Sequence, residues 1–388
     1  MRLTKSIAVL LGLGLLLTAC GPYVTTAIQP TSTPATYIKI VTNSTEATST
    51  VLPTAATAVT QMTEVPATAV ATTAAETVAV NIPDTSTNTY LDDLSTPAAL
   101  ILSYVNAINR HEYLRAYSYW VSPSSYIGSL DAFTNSLTNT SSESVTFGQI
   151  TSDGAAGSIY YTVPAVMVDT MNGGGTNKFA SCFIVRLPQP GNYGEPPIQP
   201  MNIDRGVKTA VSASTSNANA LASACSGSDY PAGGNPETAA VEPTNNLTSS
   251  NYIDNRSGAI ELVSSLMNAL NRKEYVRAYS YWQNPSTSIG TYDSYAAGFA
   301  DTGSVSAVFG TVTSDVGAGQ YHYQVPLAMK VVTTGNAQQT FVGCYTLHLS
   351  NPGMQATQPF EPLGITAGKF KQVSNGTDVT SLLTTVCN

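Results

Sequence analysis

Charged residues are scarce in this chain, and so are histidine and tryptophan. Aspartate, glutamate, lysine and arginine make up 10% of the 388 residues, and the formal net charge is −8. Globular proteins usually carry about a quarter of their residues as charges. Because the few basic residues are scattered through an acidic chain, no electrostatic footprint exists for nucleic acid or an anionic lipid surface. We therefore expect no nucleic acid partner.

Sequence motifs for catalysis and metal binding are missing as well. The chain has no Gly-x-Ser-x-Gly motif, no phosphate-binding loop and no dinucleotide fingerprint. Its three histidines, His111, His322 and His348, have no metal-ligand spacing to one another or to a cysteine. We expect no metal and no cofactor, and we assign no catalytic residue.

No apolar run reaches the length of about 18 residues that a transmembrane helix needs. The run at residues 7–17 follows Arg2 and Lys5 and has the length of a signal-peptide core. It leads into Leu17-Thr18-Ala19-Cys20, with Gly21 next. These residues together resemble the lipobox of bacterial lipoproteins.

The lipobox resemblance implies that residues 1–19 are a signal peptide and that Cys20 carries the lipid, palmitate included. The protein would then be extracytoplasmic, anchored to the bacterial cell membrane at the cell surface or the periplasmic face. An ordinary signal peptide followed by a chance cysteine is the alternative. Residues 20–91 are rich in threonine, alanine, proline and serine and nearly lack aromatics. Because such a segment has little to build a core from, we predict a disordered tether.

The remaining chain repeats itself with a constant shift. Asn109 to Trp120 returns as Asn271 to Trp282, which is a shift of 162 positions. The same shift relates many later residues, so most positions have a twin in the other repeat. We predict two copies of one domain, at residues 92–225 and 254–388, joined by a linker at 226–253.

The repeat also bears on how the cysteines pair. Without Cys20, four cysteines remain and allow three connectivities. Cys182 and Cys225 are separated by 43 positions, and so are their twins Cys344 and Cys387. We predict the pairs Cys182–Cys225 and Cys344–Cys387, which fit an oxidising compartment. A swapped pairing across the two domains is the alternative.

Each copy begins with a helical pattern. Apolar residues at i, i+3, i+4 and i+7 predict a first helix with Ser95 or Ser257 as its N-cap, ending at Asn109 or Asn271 in the left-handed conformation. A second helix follows at Tyr113 or Tyr275 and is ended by Pro123 or Pro285. A third, short helix begins at Ser129 or Thr291.

Strand patterns follow the helices. In the first copy we predict strands at 145–150, 158–168 and 179–187, and a short one near Val207. Residues 151–154 and 172–174 are predicted turns between them. A proline-rich loop precedes the last strand.

The helix–helix–short helix order, followed by strands, resembles the NTF2-like superfamily, also described as SnoaL-like or cystatin-like. The two-helix openings at 109–120 and 271–282 carry the resemblance, together with the strand order behind them. It implies an α+β cone in which helices pack on a curved antiparallel sheet. It also implies that the two repeats pair as an intrachain pseudo-dimer through their sheets. The disulfide and the proline-rich loop depart from the simplest members.

Enzymes of this superfamily use buried acids, tyrosines or histidines with shifted pKa values. Glu112 and Arg115, like their twins Glu274 and Arg277, lie at i and i+3, where a surface or half-buried ion pair is the usual explanation. The other shared acids lie in predicted turns or helix starts, and none lies inside an apolar strand. Asp169 and His322, whose twins are Val331 and Tyr160, are the unmatched candidates for chemistry in one copy.

Aromatic residues on the second helix are the remaining candidates for a ligand pocket, because tyrosine and tryptophan combine a large area with a polar tip. Core packing is the competing interpretation of the same helical stripe. Tyr119 and Tyr281 lie off the stripe, so we expect them at the surface or a pocket rim. The candidates are Tyr113, Tyr117, Tyr119, Trp120, Tyr275, Tyr279, Tyr281 and Trp282.

The sequence therefore favours a lipid-anchored extracytoplasmic module without enzymatic activity. It would bind an unknown small molecule or an envelope protein. One alternative is a structural cell-envelope protein with no sizeable pocket. Another is an isomerase or cyclase-type enzyme active in one repeat only, which predicts a buried acid in one copy and its replacement in the other.

Overall fold

A computed structural model describes residues 89–227, 235–236 and 251–387. The predicted signal peptide, Cys20, most of the predicted tether and most of the predicted linker lie outside these residues. Within the described ranges, no helix combines the length and the apolar character needed to cross a membrane.

The first half, residues 89–236, is an α+β arrangement of helices followed by strands. Four helices come first: α1 (Pro97–Asn109), α2 (Tyr113–Ser118), α3 (Pro123–Tyr126) and α4 (Leu130–Ser136). The strands and one late helix follow: β1 (Thr140–Phe147), β2 (Thr151–Ala155), β3 (Ser158–Met171), β4 (Thr176–Pro188), β5 (Asn202–Val211), α5 (Asn217–Ala224) and β6 (Asn235–Pro236).

The second half has nearly the same order of elements. Its helices are α6 (Ala259–Asn271), α7 (Tyr275–Ser280), α8 (Pro285–Ser288) and α9 (Tyr292–Ala297). Its strands and last helix are β7 (Thr302–Phe309), β8 (Thr313–Gly317), β9 (Gln320–Thr333), β10 (Gln338–Ser350), β11 (Gly364–Val373) and α10 (Thr380–Leu383). A short 3-10 turn follows β4 and another follows β10, at Pro190–Asn192 and Pro352–Met354.

Each half contains one open antiparallel sheet. In the first, β5, β4 and β3 lie side by side, and the long β3 pairs with both β1 and β2, while β6 pairs with β2. In the second, β11, β10 and β9 lie side by side, and β9 pairs with both β7 and β8. The fold class is therefore α+β with two antiparallel sheets.

The core of the first half lies between α1 and one face of its sheet, which we call the inner face. Alternate strand residues point to the same side of a sheet, so Val145 and Phe147, Val163 and Met167, and Phe183 share this face. Helix α1 is buried along nearly its whole length against them. On the opposite face, α5 packs in a smaller apolar cluster with β3 and β4.

Both predicted disulfides are present. Cys182 bonds to Cys225 and Cys344 bonds to Cys387. In the first half the bond ties the end of α5 to β4. In the chain-entropy model, a loop of 43 residues stabilises the folded state by about 4 kcal/mol. The disulfides are compatible with an extracellular location.

Two predicted helix boundaries are wrong for a tertiary reason. Thr96, not Ser95, caps α1, and Gly258 precedes α6. The hydroxyl of Ser95 accepts a hydrogen bond from the Asp254 amide at 2.9 Å, and that of Ser257 accepts one from the Asp92 amide at 2.8 Å. These serines therefore bond the other half of the chain.

The predicted left-handed helix ends are displaced by two residues. His111 and Lys273 have positive φ angles of 57° and 61°. Asn109 instead donates to the Glu143 carbonyl at 2.9 Å and accepts from the Glu143 amide at 2.6 Å. Asn271 makes the same pair of bonds with Val305. The asparagine at each helix end thus fixes the following strand.

Two other local predictions are corrected. Pro123 and Pro285 begin short helices instead of ending longer ones, because proline suits a first helical turn. Residues 151–154 form strand β2, and the turn lies at Ala156-Gly157, both with positive φ. The strand there pairs with β3 despite its Gly154.

The two halves meet through a pair of short antiparallel segments, which we call the junction: Asp92–Ser95 and Asp254–Ser257. Asp93 and Asn255 face each other as an isolated bridge. The Leu94 amide donates to the Asp254 carbonyl and the Arg256 amide donates to the Asp92 carbonyl, both at 2.7 Å. Each bond has a counterpart 162 positions along the chain. Among the described strands, no strand of one half pairs with a strand of the other.

Candidate functional site

A fully buried arginine holds the start of each half together. Arg115 Nε donates to Glu112 Oε2 at 2.7 Å, Nη2 donates to Asn106 at 2.9 Å, and Nη1 donates to Tyr119 Oη at 2.9 Å and to the Leu91 carbonyl. Burial alone would lower the pKa of Arg115, but its neighbours, with Tyr119 first, raise it well above the usual value. The guanidinium is therefore a fixed charge.

The same network recurs around Arg277, with Glu274, Asn268, Tyr281 and the Ile253 carbonyl. The ion pairs are wholly buried, so the expectation of surface or half-buried pairs is wrong. Tyr119 and Tyr281, expected at the surface or a rim, are only 4% and 1% exposed because their hydroxyls bond the arginines. The guanidinium groups of these networks are hydrogen-bonded within the protein, so their role is structural.

A cleft of about 400 Å³ lies between the two halves beside the junction. Its first-half wall comes from α2, the chain leaving it, and the loop before β5. Its second-half wall comes from the proline-rich loop before β11. The main apolar lining residues are Tyr117, Trp120, Pro123, Pro200, Pro359 and Phe360. A smaller cavity of about 230 Å³ lies in the second half, beside Trp282 and Phe360.

Five of the eight predicted pocket aromatics line these cavities. Tyr117, Tyr119 and Trp120 line the cleft, and Tyr281 and Trp282 line the smaller cavity. The other three line neither. Their rings pack elsewhere: Tyr113 contacts His111, Tyr275 stacks on Phe299, and Tyr279 contacts Tyr292 and Tyr295.

Arg256 lies in the junction and borders both cavities. The residue is only 8% exposed, and its Nε donates to Asp254 Oδ1 at 3.2 Å. Its guanidinium lies over the Tyr281 ring, 5.0 Å from the centroid. Burial alone would lower the pKa of Arg256. The neighbouring Asp254, Tyr281 and Asp92 outweigh this effect and raise the pKa above its usual value. The twin position is Leu94, so this cation belongs to one half alone.

A charged patch lies on the inner face of the first sheet. Glu143 and Asp169 stand directly opposite each other on β1 and β3. Lys208, on β5, contacts Glu143 Oε1 and lies 3.4 Å from Asp169 Oδ1, with its Nζ 4.8 Å from the centre of the Phe179 ring. Burial raises the pKa of Glu143 to about 7, although the Lys208 charge opposes the shift. Among the described residues, neither Oε2 of Glu143 nor the buried hydroxyl of Ser181 has a hydrogen-bond partner.

Glu143 and Asp169 lie inside strands, but neither is shared by the two repeats, so the expectation about the shared acids does not cover them. The sequence pattern predicts a strand from residue 145, whereas the strand begins at Thr140 and therefore includes Glu143. A usable signal was present in the repeat. The twins of Glu143, Asp169, Ser181 and Lys208 are Val305, Val331, Gly343 and Phe370.

The second sheet fills the same place with apolar side chains. Phe370 packs edge-on against Tyr345, with ring centres 4.7 Å apart, and lies directly over Gly343. A Cβ at position 343 would overlap both the Phe370 ring and the Lys369 carbonyl. The Phe370 ring therefore leaves no space for a side chain at position 343. At the matching position 181, a serine side chain fits because the Lys208 side chain is thinner than a ring.

His322, the other unmatched candidate, is exposed on β9. Its ring lies 4.9 Å from that of His348, and it lines neither cavity. Burial and the His322 charge lower the pKa of His348. Over the described part of the chain, no group of three or more His, Cys, Asp or Glu residues is placed to hold a metal ion.

The geometry thus offers an aromatic cleft for binding and a buried carboxyl that titrates near neutral pH. No model of a known protein family matches the chain, and no curated protein matches it either. The chemistry of these two places must therefore be judged from their residues alone.

The raised pKa of Glu143 predicts a pH-dependent stability. Below its unfolded pKa of about 4.5 the carboxyl's contribution is fully present, and it is lost as the pH rises through about 7, because the folded chain holds a proton that the unfolded chain releases. We expect Glu143→Gln to gain stability relative to the native protein across this range, measured by urea unfolding at several pH values. Asp153→Asn, on exposed β2, is the control. Parallel pH profiles for Glu143→Gln and the native protein would contradict the assignment.

Gly343 and Ser181 form a matched pair of sites. We expect Gly343→Ala to lower the free energy of unfolding by about 1–3 kcal/mol, because the new Cβ overlaps Phe370 and the Lys369 carbonyl. Ser181→Ala removes a hydroxyl that has no hydrogen-bond partner in the described part of the chain. It should change the free energy of unfolding by less than about 0.5 kcal/mol. Denaturant unfolding measures both. Equal effects at the two positions would refute this account of the packing.

Proposed function

We propose that the protein is a lipid-anchored, extracytoplasmic module of two NTF2-like domains that binds a small organic ligand in the cleft between its halves. The cleft carries the proposal. Its volume of about 400 Å³ lies within the range of about 300–1,000 Å³ of ligand sites, and apolar and aromatic walls with few polar groups are typical of them. Such sites also occur preferentially between domains.

The proposed domain duplication is supported by the shared order of elements and by the reciprocal bonds of the junction. The near two-fold arrangement of those bonds is what a pseudo-dimer of two repeats requires. The NTF2-like assignment rests on the helix-to-strand order, with which the two α+β halves are compatible. The extracytoplasmic location is supported by the two disulfides, and the anchor by the residues around Cys20.

A catalytic role for the first half is the second candidate function. The patch of Glu143, Asp169 and Lys208 favours it, because a carboxyl with a pKa of about 7 suits general acid–base chemistry and the second half lacks all three groups. However, Glu143 lines neither the cleft nor the smaller cavity. Binding in the cleft is therefore better supported than catalysis. A purely structural role would not explain the cleft.

The anchor is tested at its cysteine. We expect Cys20→Ser to abolish incorporation of a palmitate analogue and to move the protein from the membrane fraction to the soluble fraction, because the thiol that takes the lipid is lost. Metabolic labelling and fractionation measure both effects. Thr25→Ser is the control and should behave as the native protein. A Cys20→Ser protein that remains in the membrane fraction would contradict lipid anchoring.

The cleft is tested by occupancy. We expect native mass spectrometry of the full exported chain to show a mass excess that disappears on denaturation. Ser118→Trp should abolish the excess, because Ser118 is exposed on the cleft wall and an indole there fills the space. Ser280→Trp, its twin beside the smaller cavity, is the matched control. No excess, or an excess that survives Ser118→Trp, would count against a ligand in this cleft.

A further inference from the structure

We propose that the ligand of the cleft is a monoanionic organic acid, whose carboxylate is bound by Arg256 while an aromatic or apolar body lies against the cleft walls. The inference rests on the proposed function, because it specifies the ligand of that same cleft. Three features carry it: the unfilled donors of Arg256, the balance of charge around the junction and the chemistry of the walls.

The guanidinium of Arg256 is only partly satisfied. Its Nε bonds Asp254, but no described residue accepts a hydrogen bond from Nη1 or Nη2. The residue is more than nine-tenths buried, and it borders the cleft. Nη1 and Nη2 are therefore available to an acceptor in the cleft. The planar fork of a guanidinium matches the two oxygens of a carboxylate.

The neighbouring acids do not supply that acceptor. Asp92 Oδ1 accepts from Tyr119 Oη at 2.9 Å, and its Oδ2 accepts from Tyr90 Oη at 3.1 Å. Asp254 accepts from Arg256 Nε and, at 3.3 Å, from Tyr252 Oη. Neither carboxylate therefore accepts from Nη1 or Nη2 of Arg256, and these two nitrogens are left for a ligand.

The balance of charge argues against more than one negative charge on the ligand. The junction and its two arginine networks contain five basic and five acidic side chains: Arg110, Arg115, Arg256, Arg272 and Arg277, with Asp92, Asp93, Glu112, Asp254 and Glu274. Because the two numbers are equal, this region does not carry a large excess of either charge. A dianion such as a phosphate monoester would lack a second cation, because Arg256 is the only cation among the residues lining the cleft.

The walls define the rest of the ligand. Trp120, Tyr117 and Phe360 supply aromatic lining, and prolines supply further apolar lining. Apart from Asp92 and Arg256, the polar lining residues are uncharged: Ser118, Asn202 and Gln358, with the Tyr119 hydroxyl already bonded. An aromatic acid places its ring on these walls and its carboxylate on Arg256.

The chain's two tryptophans make the cleft directly observable, since Trp120 borders the cleft and Trp282 borders the smaller cavity. In full-length protein carrying Trp282→Phe, tryptophan fluorescence reports on Trp120 alone. The probes are phenylacetate, its neutral isostere phenylacetamide and the dianion phenyl phosphate. We expect phenylacetate to bind at least about tenfold more tightly than either of the others, which is the effect of a charge-assisted hydrogen bond.

Arg256 is then varied in the same background. Arg256→Met should abolish the preference for the acid, whereas Arg256→Lys should retain part of it, and Arg186→Met, on β4 away from both cavities, should leave it unchanged. If Arg256→Met does not fold, the comparison of the three probes in protein that retains Arg256 still tests the inference.

Each outcome bears on the inference. Equal affinity for phenylacetate and phenylacetamide would overturn the carboxylate assignment while leaving ligand binding in the cleft intact. Tighter binding of phenyl phosphate would overturn the single charge. A fluorescence response to none of the probes, together with no native mass excess, would overturn both this inference and the proposed function.

Discussion

The rest of the structure depends on the buried hydrogen-bond networks of two arginines, Arg115 and its counterpart Arg277. Each arginine ties the chain entering its half to α1 or α6 and to the following helix, through bonds to a carbonyl, an asparagine, a glutamate and a tyrosine. The entering chain then continues directly into the junction. Because removing one partner of a buried charge network leaves an unpaired charge, these residues are constrained as a group. The position of the junction, and with it the cleft, follows from them.

The two halves have nearly the same order of elements but carry different charged side chains. On the inner face of the first sheet, Glu143, Asp169 and Lys208 form a charged patch, and the second sheet has apolar side chains at those positions. At the junction the asymmetry is reversed, because the second half supplies Arg256 where the first has Leu94. These charged side chains thus occur at positions where the other half has an apolar residue. Such unmatched positions, against a background of matched ones, are the best guide to function here.

Local patterns in the sequence predicted much of the architecture and less of the site. Apolar spacing located α1 and α6, and the equal separation of the cysteines located both disulfides. The aromatic pattern identified Trp120 and Trp282 but misplaced Tyr119, because its burial depends on a bond to Arg115. Glu143 was missed because a polar segment becomes a strand only through its pairing with β3. Local sequence predicts N-cap roles for Ser95 and Ser257, although their hydrogen-bond partners lie 159 and 165 positions away.

By itself, the sequence determined the features that depend on spacing along the chain: the shift of 162 positions, the cysteine separations, the helical periods and the apolar start before Cys20. The helical periods correspond to α1 and α6, and the cysteine separations correspond to the two disulfides. Only the tertiary structure decided which side chains meet. Lys208 contacts Glu143 across 65 positions of sequence, and Arg256 borders a cleft whose other wall comes from the first half. Such contacts follow from strand register and from the docking of the halves, which no single segment encodes.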